Sequence, residues 1–155
     1  MMSDQYSPIK SSVAMLEKKG TFHGVPSVLY EPVEPGEKSQ IAVLVIHSDE
    51  DFLAHSAGSG LAKRGYRVLC ANTSNRFDPL DEKLVDVNVA VEYLRQSLGV
   101  RKVVTLGHSG GATLMSAYQN AAENGVQVFQ GAEKLIRCCN LGKLDPADGV
   151  MLLDS

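Results

Sequence analysis

The sequence lacks features that several classes of protein need, and each absence excludes a reading. Only 6% of its 155 residues are aromatic and no basic run is interleaved with them, so stacking on nucleic-acid bases has no support. Fifteen Lys and Arg do not balance eighteen Asp and Glu. The resulting net charge of −3 gives no electrostatic reason to expect nucleic acid or an anionic membrane as a partner. The longest apolar stretch, Ile41 to Ile46, falls far short of the roughly 20 residues that a bilayer span requires. Residues 1–10 are polar and lack the apolar centre of a secretory signal. Three cysteines cannot all pair, and Cys138 and Cys139 are neighbours, which argues against a disulfide framework. With Cys70 they show no CxxC spacing, so no metal site is expected. These absences point to a reducing, cytoplasmic setting, with no membrane, no nucleic acid, no metal and no cofactor.

What is present is enough for one domain with its own core and too little for two. Ile41–Ile46 is apolar without alternation, as suits a central parallel strand covered on both faces. Runs of the same kind are Arg67–Ala71, Lys102–Leu106 and Gly149–Leu153, and Pro26–Tyr30 is a further strand. Between them lie helical patterns. Leu84, Val87, Val91, Leu94 and Leu98 share one helix face, with Asp81 and Glu82 near its start and Gly99 as its stop. Ala54–Arg64 is a weaker helix, with Ala57 and Leu61 inward and Gly65 as terminator. Gly110–Asn124 is a third, with Leu114, Ala117, Tyr118 and Ala121 inward. The first 20 residues are expected to be an extended or loosely helical lead-in. Gln127–Asp148 is the least regular part, with one short helix expected around Ala132 to Cys139. Strands alternating with helices argue for an α/β fold with a mostly parallel sheet flanked by helices.

One motif carries chemistry. Gly107-His108-Ser109-Gly110-Gly111 follows the strand ending at Leu106 and opens a helix. A serine hydroxyl is a poor nucleophile until a base takes its proton and the backbone holds it exposed. A sharp strand-to-helix turn does the holding, and Gly107 and Gly111 relieve the crowding that such a turn creates. The helix start also offers free amides to a developing oxyanion. The competing reading is a serine that caps a helix after an ordinary turn. Two glycine-rich decoys are set aside: residues 55–60 lack the Lys-Ser/Thr ending of a phosphate-binding loop, and Gly58 and Gly60 lack the third glycine of a dinucleotide motif.

On these residues the chain resembles the α/β-hydrolase family, matching its N-terminal part. Ile41–Ile46, Arg67–Ala71, Lys102–Leu106 and Gly149–Leu153 resemble the third to sixth strands of that fold. The resemblance implies a catalytic Ser109 and an oxyanion hole built from the amide of Gly110 and one after the third strand. Where many members read His-Gly, this chain reads His47-Ser48-Asp49-Glu50-Asp51, which leaves Ser48 or Asp49 as the second donor. Three acids there would oppose an anionic intermediate unless they face solvent.

The resemblance also implies an acid after the sixth or seventh strand and a histidine after the eighth. All four histidines (His23, His47, His55, His108) precede Ser109. His47 is read as pocket wall or base, His108 as packing, and Asp154 as acid or strand-end carboxylate. The expectation is therefore a fold incomplete at its C-terminal side, with a second polypeptide supplying the remaining strands, the histidine and the acid. The implied activity is that of a serine hydrolase acting on a small-molecule acyl substrate (ester, thioester or amide). The alternatives are a non-catalytic binding or receptor protein on the same scaffold, and a lyase or transferase reusing the pocket.

Overall fold

The structure is a computed structural model, described for residues 6–136, 138 and 141–153. Six strands, β1 (Ile9–Glu17), β2 (Gly24–Pro32), β3 (Ile41–His47), β4 (Arg67–Asn72), β5 (Lys102–His108) and β6 (Gly149–Leu153), form one sheet in the order β1-β2-β4-β3-β5-β6. The four strands β4-β3-β5-β6 are parallel, whereas β1 and β2 run antiparallel at one edge. The expected mostly parallel sheet thus holds: four of the six strands, including the one that bears the serine motif, are parallel, and the other two form an antiparallel hairpin.

The apolar run of β3 is explained by what covers it. Ala42, Leu44 and Ile46 enter the core formed with α2 (Leu80–Glu92) and α3 (Gly110–Asn124). Val43 and Val45 face the other way, with Val68, Cys70 and Leu106, onto α1 (Ser56–Ala62). A strand buried on both faces has no position for a polar residue, so its sequence does not alternate. Helix α2 buries Leu84, Val87 and Val91 as its spacing predicts, and Leu94 follows in a last turn widened to π geometry over Tyr93–Ser97. Gly65 and Gly99 stop their helices at φ 100° and 64°, conformations that side chains resist.

One expectation is sharpened and one is corrected. The lead-in, expected to be extended or loosely helical, is extended: residues 9–17 are a nine-residue strand, β1, paired along its length with β2. Its exposed Val13 and Met15 and its polar neighbours hid it, because an edge strand with one open face has no strong pattern. The short helix expected around Ala132 to Cys139 is absent from residues 132–136, which are turns and bends; residues 137, 139 and 140 lie outside the described residues. A single turn of 3-10 helix, Val126–Phe129, stands after α3 instead.

Asp148 fixes where β6 begins. Its carboxylate accepts from the Val103 amide at 2.9 Å and pairs with Arg95 at 3.0 Å and Lys102 at 3.3 Å, while its own amide donates to the Val103 carbonyl. Burial alone would raise its pKa, but the Val103 amide and the two cations outweigh it and hold the carboxyl below its ordinary 3.8. A carboxylate with a depressed pKa contributes stability above its unfolded value and loses it as pH falls through the folded one. Asp148→Asn is expected to cost about 1 kcal/mol at pH 7, the excess of a charge-assisted over a neutral hydrogen bond. Urea titrations at a series of pH values check this. The gap between variant and wild type should close below pH 3.8.

Candidate active site

In an open parallel sheet the ligand site lies beyond the carboxyl ends of the strands, where loops of neighbouring strands converge. Here those ends bring together His47 and Ser48 after β3, Asn72 to Ser74 after β4, and Ser109 after β5. The last carbonyl of β6 is also there, since Leu153 accepts the Ser109 amide at 3.0 Å. Asp154, the candidate acid, lies outside the described residues.

Ser109 stands at φ 56°, ψ −126°, and among the described residues no other non-glycine has positive φ. Such a conformation costs on the order of 1–3 kcal/mol and persists only where the surroundings impose it. An ordinary capping serine would have extended backbone and accept a hydrogen bond from the first turn of its helix. Ser109 does neither: its side chain makes no capping bond and is exposed. The glycines on either side act by close approach rather than by their own dihedrals. A Cβ on Gly107 would land 2.5 Å from the Cα of Ala112, and one on Gly111 would lie 2.5 Å from the Ile46 carbonyl oxygen. Backbone against backbone cannot give way, so β3, the turn and α3 can meet only through glycine.

Gly110 opens α3, and a first-turn amide has no acceptor within its helix. A Cβ there would stand 2.8 Å from Ser48 Oγ and 2.9 Å from His47 Nε2, so the loop after β3 lies directly against it. The structure brings Ser48, Gly110 and Ser109 into one corner. Of the two residues considered for the second amide, Asp49 is engaged: its N–H donates to His47 Nδ1 at 3.1 Å, as does that of Glu50 at 2.9 Å.

The three acids face solvent. A hydrogen bond from Ser48 Oγ, with lesser help from His47, Lys83 and Arg76, holds the Asp49 carboxyl below its usual range against slight burial. Asp51 is held low by Asn72 Nδ2 and the Leu53 amide.

Two arrangements go beyond the sequence reading. Asn72 accepts the Phe52 amide at 2.8 Å as well as donating to Asp51, and Thr73 Oγ1 donates to the Ser48 carbonyl at 3.3 Å. The end of β4 thus braces the loop after β3. Register could have found this, since His47 and Asn72 are lateral neighbours on parallel strands. The second is a cluster of rings: Phe52 lies 4.8 Å from His47, 4.7 Å from His55 and 5.9 Å from His108. His55 Nδ1 accepts the Ala57 amide, so a neutral His55 carries its proton on Nε2 and donates it to His108 Nδ1 at 3.3 Å. Burial, then the nearby His108, lowers the His55 pKa, which favours this neutral form. Through this contact His108 latches the loop that carries His55 to the turn. His23 lies in the β1–β2 turn, outside this cluster. A cleft of about 640 Å³ between β1 and α2 includes none of Ser48, Ser109 or Gly110 in its lining. Among the described residues no group of three His, Cys, Asp or Glu is placed to hold a metal, and no helix is long and apolar enough to cross a membrane.

The mixed sheet, parallel over β4-β3-β5-β6 with helices on both faces, and the strained serine at the β5–α3 turn define an α/β-hydrolase fold. Solved structures agree. Esterase B from Lactobacillus rhamnosis is 18% identical, with a TM-score of 0.64 over 96% of this chain and 50% of its own. Brefeldin A esterase, a bacterial homologue of human hormone sensitive lipase, is 20% identical, with a TM-score of 0.61 over 77% of this chain and 37% of its own. Est1E from Butyrivibrio proteoclasticus is 21% identical, with a TM-score of 0.55 over 72% and 46%. The chain therefore spans half or less of the length of these structures. No family model matches the sequence, and no curated protein matches it.

Proposed function

We propose that this chain supplies the nucleophile and the oxyanion donors of a serine hydrolase that cleaves an ester, thioester or amide. The observation that carries the reading is the backbone of Ser109. A strained, exposed serine at a helix start has no structural use that an unstrained one would not serve better. In the reaction Ser109 Oγ attacks the acyl carbon as a base takes its proton. The carbonyl oxygen becomes an oxyanion held by the amides of Gly110 and Ser48, and the leaving group departs with the proton. Water then repeats the sequence on the acyl-enzyme.

The base comes from outside the described residues. His55 and His108 are bonded to each other, and His47 uses Nδ1 to accept two amides, which leaves the proton on Nε2. A strand beside β6 is its expected source, on a continuation of this chain or on a second polypeptide. Two features support this. Among the described residues no strand pairs with the side of β6 away from β5, and Met151, Leu152 and Leu153 are 38–48% exposed. A bare apolar edge of this kind invites pairing.

Treatment of the assembled protein with a fluorophosphonate probe tests the reading. Intact mass should show one adduct per chain, located by peptide mapping at Ser109. No adduct in the assembled protein would instead favour a binding scaffold that has kept the fold without its turnover.

A further inference from the structure

His47 is more than a pocket wall, and its role follows from which nitrogen holds its proton. Two backbone N–H groups, those of Asp49 and Glu50, point at Nδ1 from 3.1 and 2.9 Å. Nδ1 is therefore an acceptor in the neutral ring, and the proton sits on Nε2. Asp49 Oδ1 is also 3.0 Å from Nδ1, a contact that becomes an ion pair only if the ring is protonated. That state too keeps a proton on Nε2. Under either condition Nε2 is a donor, and it has no hydrogen-bond partner among the described residues.

Its position makes that donor useful. The side chain is 7% exposed, wedged between Phe52 and the turn, so the ring cannot swing away. Nε2 lies 2.9 Å from where a Cβ of Gly110 would stand, beside the residue whose amide is the expected first oxyanion donor. Ser48, the expected second donor, is the next residue in the chain. An N–H at the open tip of a ring that is otherwise buried, held without reorganisation and without a protein partner among the described residues, is the kind of dipole that stabilises a developing negative charge.

We propose that His47 Nε2–H is a third donor to the oxyanion, beside the amides of Gly110 and Ser48. This rests on the acyl-transfer reading of Ser109. No proton moves from His47 in the step. The carbonyl oxygen accepts the hydrogen bond as it gains charge and releases it when the carbonyl re-forms.

Two substitutions in the active, assembled protein separate donation from loop support. His47→Asn places an amide oxygen near Nδ1, keeping an acceptor for the Asp49 and Glu50 amides, and removes the donor. His47→Gln reaches to Nε2 with an N–H and gives up the near acceptor. With p-nitrophenyl acetate, His47→Asn is expected to lose about 10²-fold in kcat at little change in KM, as for loss of one oxyanion donor. His47→Gln should retain more of kcat than His47→Asn despite a lower Tm. Wild-type kcat in His47→Asn overturns the proposal, as does a loss in both variants that follows Tm alone. A measurement on the wild type needs no variant. When a trifluoromethyl ketone forms its hemiketal on Ser109, the His47 Nε2–H resonance should move downfield. A hemiketal that leaves that resonance unmoved overturns the third donor alone, whereas absence of any hemiketal on Ser109 removes the acyl-transfer reading beneath it.

Discussion

Replacing Ser109 with alanine in the active, assembled protein is expected to lower kcat by about 10⁶-fold while leaving KM nearly unchanged. A triad serine acts only as a unit with its base, so its loss costs as much as loss of the whole relay, and the oxyanion donors keep a residual of about 10³–10⁴ over water. Steady-state hydrolysis of p-nitrophenyl esters measures the loss, and retained turnover would remove Ser109 from the chemistry. A second readout follows from the backbone. Alanine inherits φ 56° and relieves nothing, whereas glycine adopts that region freely. Ser109→Gly should therefore be more stable than Ser109→Ala by about 1 kcal/mol, at the low end of the cost of such strain. A nucleophile held against its own conformational preference predicts both results together, and a capping serine predicts neither.

The largest stability effect is expected at Lys18, in the turn that follows β1. Its ammonium lies 2.7 Å from Glu82 and 3.0 Å from Asp86, and the side chains of Lys18 and Asp86 are 6% and 0% exposed. Asp86 also accepts the Ser74 amide at 2.7 Å and the Ser74 hydroxyl at 2.8 Å. Lys18→Met would leave a fully buried carboxylate without its cation, which costs about 3–5 kcal/mol. A domain of this size has a total stability of roughly 5–15 kcal/mol. Adding Asp86→Asn removes the stranded charge and keeps an acceptor for Ser74, so the double variant should be more stable than Lys18→Met alone. Urea denaturation of the two single variants and the double one measures the coupling, and additive effects would contradict it.

Lys18 also gives a pH signature. Burial pushes its pKa down, but the hydrogen bonds and charges of Glu82 and Asp86 outweigh it, and the net is a rise above 10.5. The pair therefore stabilises the fold below 10.5, and this contribution is lost as pH climbs through the folded value. Wild type should lose stability there, and Lys18→Met should not. Because Asp86 holds Ser74, next to the Thr73 that touches Ser48, loosening this tie should also disturb the loop after β3.

Much of the fold is legible along the chain because its strongest signals are local. The apolar run of β3 declares a strand buried on both faces, and the spacing of Leu84, Val87 and Val91 declares a helix with one inward face. Gly107-His108-Ser109-Gly110-Gly111 declares a strand-to-helix turn because only small residues let backbones approach that closely. β1 escaped because its partners are β2 and open solvent, so half of its residues are free to be anything. The irregular stretch after α3 escaped for a related reason: it is held by side-chain bonds to separate elements, such as the two between Gln119 and Ala147 and that of Arg95 to Pro146, which leave no period to read.

The site divides in the same way. The sequence by itself determined the serine, its glycines and the amide at the helix start, because these belong to one continuous segment whose steric needs are written in neighbouring residues. Tertiary structure decided the rest. Only the parallel register of β3 and β4 sets Asn72 and Thr73 beneath the loop of Ser48. The packing of that loop against the turn gathers His47, His55 and His108 around one phenylalanine. Which nitrogen of His47 bears the proton depends on two amides two and three residues away that fold back on it. Hydrogen bonds between segments, not residue types, set that chemistry, and such bonds exist only once the chain has folded.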